Sequence, residues 1–204
     1  MRSLFQILFG HRPTTPYVDP EERFVTSRLK SYLDNGDYAI INNVLLPSNG
    51  NIKTSQIDHI IISIYGIFCI ETKSHSGWIF GSRNCRRWTQ VLYRSKFPVR
   101  NPFLQNYSHI KAIELALGKE KIRVPIISLV VFPSADKIIV EDTDEVGNMD
   151  HIIGKILSYD VKKYKYSECQ EMIRQILLVN IIDDESRAEH IREVQELIAA
   201  TSQA

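Results

Sequence analysis

Asp58, Glu71 and Lys73 stand in the most apolar part of the chain, "IDHIIISIYGIFCIETK" (residues 57–73). A charged group buried without a partner is costly, so three of them in one apolar segment call for a reason. Two strand-like runs flank Tyr65-Gly66, which reads as a short hairpin loop. With those two residues as the loop, Ile64 pairs with Ile67, Asp58 faces Lys73, and Glu71 lies diagonal to Asp58. Residues two apart on a strand share a face, and so do cross-strand partners. The three charged groups are therefore expected on one face of one sheet. Two carboxylates ~4 Å apart repel by roughly 4 kcal/mol at an effective dielectric of ~20. A lysine offsets part of that, and a divalent cation offsets more. All-oxygen donors suit Mg2+ or Mn2+. The expected roles are Asp58 and Glu71 as metal ligands, helped by the main-chain carbonyl of Thr72, with Lys73 positioning or deprotonating a water. A structural Lys–Asp–Glu ion network is the alternative.

The charge distribution suggests what such a site acts on. The chain has 204 residues and a formal net charge of +1, yet residues 72–113 contain no Asp or Glu. That window holds Lys73, Arg83, Arg86, Arg87, Arg94, Lys96, Arg100 and Lys111, interleaved with Trp78, Trp88, Tyr93, Phe97 and Tyr107. Residues 114–204 carry seventeen acidic and eleven basic side chains. An acid-free basic and aromatic segment fits a polyanion, and nucleic acid is the expected partner. A plain solvated basic face is the other reading.

Positioning elements can be read from caps and periodicity. Asp19-Pro20 opens a helix whose stripe is Val25, Leu29 and Tyr32/Leu33, and "DNG" ends it. "YAIINNVLLP" reads as a strand. "GWIFG" and "RRWTQVLY" read as sheet-edge segments. Asn101-Pro102 opens a second helix that ends at Gly118. "VPIISLVVFP" is a buried strand and "KIIV" a further candidate. From about residue 146 the pattern is helical, with a Ser167…Gln170 capping box and a last helix over about 184–201. This order predicts an α/β or α+β sheet flanked by helices. No apolar run reaches the ~20 residues of a membrane span. The start, "MRSLFQILFGHRP", lacks a small-residue cleavage site and suggests an anchor or a packed helix turn rather than export. Three scattered cysteines, Cys69, Cys85 and Cys169, suit a reducing cytoplasm and argue against zinc.

Asp58 followed by Glu71-Thr72-Lys73 at a hairpin resembles the PD-(D/E)xK nuclease core. Together with "EERFVTSRL", "TSQIDHIII", "YGIFCIETKSHSGWIFG", "RRWTQ" and "RNPFLQN…H" it resembles the NERD (nuclease-related) domain over about residues 17–133. The resemblance implies a restriction-endonuclease-like mixed central sheet flanked by helices, and divalent-metal nuclease chemistry on DNA. It also implies a catalytic glutamate on the first helix. Glu22 is favoured because it lies three before Val25 and seven before Leu29, on the apolar stripe, with Glu21 as its rival. Gln105 and His109 share a face of the second helix. Similar nucleases carry a glutamine and a polar or aromatic residue there, so Gln105 is expected in the catalytic set and His109 against nucleic acid. Arg83, Arg86, Arg87, Arg94 and Arg100 are the candidate phosphate contacts. Gln56 shares Asp58's face, and His59 points to the other as a structural histidine. The expected organisation is a tail (1–16), a nuclease-like core (17–140) and a helical extension packed on it (141–204). That extension would be the route to a homodimer or a partner protein.

Overall fold

The structure, a computed structural model, describes residues 6–9, 19–118, 122 and 125–202. Its helices begin where local chemistry caps them. In α1 (Pro20–Leu33), Asp19 Oδ1 accepts the Glu21 N–H at 2.8 Å, with Pro20 in the first turn. In α2 (Pro102–Leu117), Asn101 accepts the Phe103 N–H, and Gly118 at φ 76 ends the helix. Both caps satisfy donors that have no partner inside the helix. Helices α3 (Met149–Leu157), α4 (Tyr166–Val179) and α5 (Asp184–Ser202) follow late in the chain. The expected Ser167 cap is corrected. Helix α4 starts one residue before it, and Glu168 reaches back to accept the Lys165 N–H at 2.7 Å.

The strands are β1 (Gln6–Phe9), β2 (Tyr38–Pro47), β3 (Thr54–Ser63), β4 (Ile67–Thr72), β5 (Gly77–Gly81), β6 (Arg87–Leu92), β7 (Ser95–Arg100), β8 (Ile127–Val131), β9 (Ala135–Val140) and β10 (Val146–Gly147). Six form a mixed sheet in the order β1-β2-β3-β4-β8-β10. β2, β3 and β4 are antiparallel neighbours, while β1, β8 and β10 each join a parallel partner. Helices α2 and α4 cover one face, burying Ile113, Leu117, Met172 and Ile176 against Ile60, Ile62 and Cys69. Helices α1 and α3 cover the other, where Val25, Leu29, Ile152 and Ile156 pack on Ile40, Ile61 and Ile70. The mixed sheet flanked by helices and the C-terminal helical extension agree with the element order. Two details do not. Gln6–Phe9, expected in a tail or helix turn, is a strand paired in register with Ala39–Asn42. Val146–Gly147, expected at a helix start, pairs with β8 before α3 begins.

Of a second sheet, β7-β6-β5-β9, the sequence shows β5 and β6 as edge segments and part of β9 as a candidate strand, while β7 is not among its expected elements. Its inner face buries Ile79, Trp88 and Val99 with Phe103, Val130 and Phe132. Gly81 lies under the Trp88 ring, where an added Cβ would come within 2.3 Å of it. Among the described residues no helix is long and apolar enough to cross a membrane.

Candidate active site

The site forms where the β3–β4 hairpin opens. Ser63 closes the turn by donating its N–H to Gly66 O at 2.9 Å, leaving Ile64-Tyr65 at the tip. Ser63 Oγ also accepts the N–H groups of Tyr65 and Gly66. The ladder then pairs Ile62 with Ile67 and His59 with Ile70. The expected loop is thus displaced by one residue. Continuing this register sets Asp58 against Glu71 and corrects the expected pairing with Lys73. The displacement shifts partners by two residues, which preserves side-chain parity, so the charged groups still converge.

Beyond His59 and Ile70 the two strands part. β3 stays with β2 as far as Thr54, and β4 continues along β8 through Thr72. Asp58 Oδ2 accepts the Thr72 N–H at 2.8 Å, so its carboxylate stands where a ladder carbonyl would be. Across from it on β2, Asn43 adopts φ 53, a left-handed conformation that asparagine tolerates better than most residues. The alternation of side chains changes phase here in both strands. Ala39 and Ile41 share one core with Val44 and Leu46, and Ile60 and Ile62 share it with Ile57. This phase change turns Ser55 toward α2.

Glu71 is buried at the centre of the resulting cluster. Its Oε1 lies 2.6 Å from Lys73 Nζ, and its Oε2 accepts from His109 Nε2 at 3.1 Å. Lys73 Nζ also donates to Gln105 Oε1 at 2.8 Å. The other His109 ring nitrogen is hydrogen-bonded to Ser55 Oγ at 2.6 Å. Burial pushes the Glu71 acid up, but the His109 hydrogen bond and the Lys73 charge outweigh it and hold the group below its ordinary value. Asp58 is pushed well above the carboxylate range by burial and then by the charges of Glu71 and Glu22. Glu22 is raised to about 7 by burial, Asp19 and Glu71. The first-helix glutamate that feels the site is therefore Glu22. Glu21 turns away and accepts from Ser134 Oγ at 2.5 Å.

Other expected residues are placed differently. His109 does not face a phosphate, because it is buried with both ring nitrogens engaged by protein. Arg83 pairs with Glu145 and lies 4.7 Å over the Phe103 ring, so it is tied into the fold. Arg86, Arg87, Arg94 and Arg100 are exposed. Gln56 donates to Asn43 Oδ1 at 3.2 Å and not to a carboxylate of the cluster. His59 is a structural histidine as expected, bonded to Asn42 Oδ1 and Thr72 Oγ1. Burial lowers its pKa to about 4, which keeps the ring neutral near pH 7. Ser55 was missed, since strict alternation from Asp58 points it to the opposite face.

The donor chemistry of Glu22, Asp58 and Glu71 is all oxygen. The acids of Asp58 and Glu22 are raised by burial first and by their acidic neighbours second. Both Glu71 oxygens are already engaged, by Lys73 and His109. Among the described residues no group of three or more His, Cys, Asp or Glu side chains is arranged to hold a metal ion.

Comparison with known proteins adds an independent finding. The family model described as "Nuclease-related domain" (NERD) matches residues 19–133, which span α1 through the start of the turn after β8. An uncharacterized protein of Bacillus anthracis is 34% identical over 179 residues, covering 86% of this chain and 82% of that protein. No solved structure matches.

Proposed function

The chain belongs to the nuclease-related domain family, and on that premise we propose that it is a divalent-metal-dependent nuclease of the PD-(D/E)xK kind, hydrolysing phosphodiester bonds of DNA. A nucleic-acid-related function follows from the family. The finer reading rests on one observation, the convergence of Asp58, Glu71 and Lys73 with Glu22 where β3 and β4 part. Asp58 and Glu71 would hold Mg2+ or Mn2+, with the Thr72 carbonyl as a third oxygen donor. The bound cation would supply Lewis-acid polarisation of the phosphate and of a water.

The protein's own groups do the rest. Lys73, bonded to Glu71 and Gln105, is held by two partners at the mouth of the cluster. With its contact to Lys73 released, Glu71 Oε1 would be available to hold the cation. Gln105 keeps the ammonium nearby, where it stabilises charge developing on the phosphate or positions the attacking water. His109, backed by Ser55, fixes the orientation of the Glu71 carboxylate. Glu22, with a pKa raised to about 7, holds a proton that it can exchange near neutral pH. The closed Glu71–Lys73 contact favours a second reading, a nucleic-acid-binding or regulatory module with little or no cleavage. Exposed Leu178, near the end of α4, and Ile182, in the linker to α5, are where a second copy or a partner protein would dock.

The deciding experiment incubates purified protein with linear DNA in Mg2+ or Mn2+, beside Asp58→Ala and Lys73→Ala. Metal-dependent cleavage by the wild type, lost in both variants, supports the nuclease. Equal cleavage by all three removes the assignment. DNA binding in EDTA with no cleavage in either metal favours the binding module.

A further inference from the structure

We propose that the outer face of the β7-β6-β5-β9 sheet is a platform for an unpaired DNA strand, gripping its phosphates and stacking on its bases. This deepens the nucleic-acid reading, on which it rests, by naming the strandedness of the substrate. The register places Trp78 and Phe80 of β5 beside Val91 and Thr89 of β6. It places Arg87 directly opposite Arg100, and Val91 opposite Lys96. Lys137 of β9 pairs with Trp78, its ammonium 5.0 Å from the ring centre. Since Ile79, Trp88 and Val99 point to the core, all these side chains share the solvent face.

No acidic residue occupies a register position on this face. Directly opposed like charges destabilise a strand pair, and neither Arg87 nor Arg100 has a carboxylate partner among the described residues. A phosphate between them would remove that repulsion. Trp78 is 48% exposed, and Tyr93, at the β6–β7 tip, is fully exposed at φ 54. Exposed ring faces gain from unstacked bases, which a duplex does not offer. The end of the sheet that carries them is the end where β5 begins. β5 begins only four residues after Lys73, and Gln90 Nε2 donates to Ser76 O in the linker between them. Trp78 and Tyr93 line a cavity of about 520 Å³ at that end, together with Asp136.

The test measures binding of full-length protein, in EDTA, to fluorescent oligodeoxythymidylate and to a duplex of equal length. The single strand is expected to bind more tightly, and Trp78→Ala to weaken it about tenfold while Trp78→Phe retains most affinity. An Arg87→Ser/Arg100→Ser variant should reduce the salt slope by about 1.4. Trp88 is only 1% exposed, so oligonucleotide quenching of tryptophan emission should come from Trp78 and vanish in Trp78→Phe. Duplex bound as tightly as single strand, or Trp78→Ala binding like wild type, overturns the proposal. The nuclease reading fails separately: an inactive protein with Trp78-dependent binding leaves the platform standing. Metal-dependent cleavage that is indifferent to Trp78 leaves the nuclease and removes the platform.

Discussion

The two sheets use charge in opposite ways. In the six-stranded sheet, carboxylates are drawn into a buried wedge and held there against their own repulsion. Glu71 is nearly fully enclosed, and each of its oxygens has a named donor. In the four-stranded sheet, arginines and lysines stand on an open face, with Asp136 of β9 at one end of it. The first arrangement costs stability and supplies local chemistry. The second costs little, because water screens it, and supplies a field that acts at a distance. Substitutions in the wedge should therefore alter folding and chemistry together. Substitutions on the platform should alter binding alone.

The largest expected effect lies in the wedge. Lys73→Ala or Asp58→Ala should lower metal-dependent cleavage by on the order of 10³-fold, measured as initial rates on linear DNA. Comparable rates would erase the functional distinction between the sheets. Lys73→Ala should also destabilise the fold by about 3 kcal/mol, because it leaves the Glu71 charge with His109 alone. A urea midpoint equal to that of wild type would show that the pair is not held in solution.

A pH series sharpens the same point. Glu22 has a folded pKa of about 7 against the ordinary glutamate value of 4.5. Between those values the unfolded chain gives up its proton while the folded chain keeps it. Stability should therefore fall as pH rises through that window and level off above about 7. Glu22→Gln should flatten the fall, leaving the variant more stable than wild type at pH 8 by on the order of 2 kcal/mol. Mn2+ should raise the wild-type melting temperature more at pH 8 than at pH 5.5. A shift independent of pH would separate the cation from these carboxylates.

His109→Ala should cost about 1–2 kcal/mol, since it strips partners from a buried Glu71 oxygen and from Ser55. The smallest effect belongs to the platform. Arg87→Ser/Arg100→Ser should leave the denaturation midpoint within the equivalent of about 0.5 kcal/mol. A large loss there would mean that the open face is structural after all.

Much of the frame was legible from short-range signals. Asp19-Pro20 and Asn101-Pro102 announce helices because a cap is a contact between near neighbours. The convergence of Asp58, Glu71 and Lys73 also survived an error in the hairpin loop, because a slip of two residues returns every side chain to its face. The preference for Glu22 over Glu21 came from a helical stripe, and the electrostatics of the site single out the same residue. The second sheet was only partly visible, since its strands are short and β9 joins β5 from far along the chain. Ser55 was hidden by the phase change at Asn43, which no alternation rule anticipates, and the Glu71–His109 contact by the distance in sequence between β4 and α2.

The amino-acid sequence by itself determined the apolar strands, the helix caps, the acid-free window and the charged residues set among isoleucines. Each depends on residue types within a few positions. Only the tertiary structure decided where β3 and β4 part, that His109 serves Glu71 and not a phosphate, and which arginines share a face. Those outcomes depend on register and on contacts between distant segments, where one left-handed residue in β2 redirects a side chain on its neighbour.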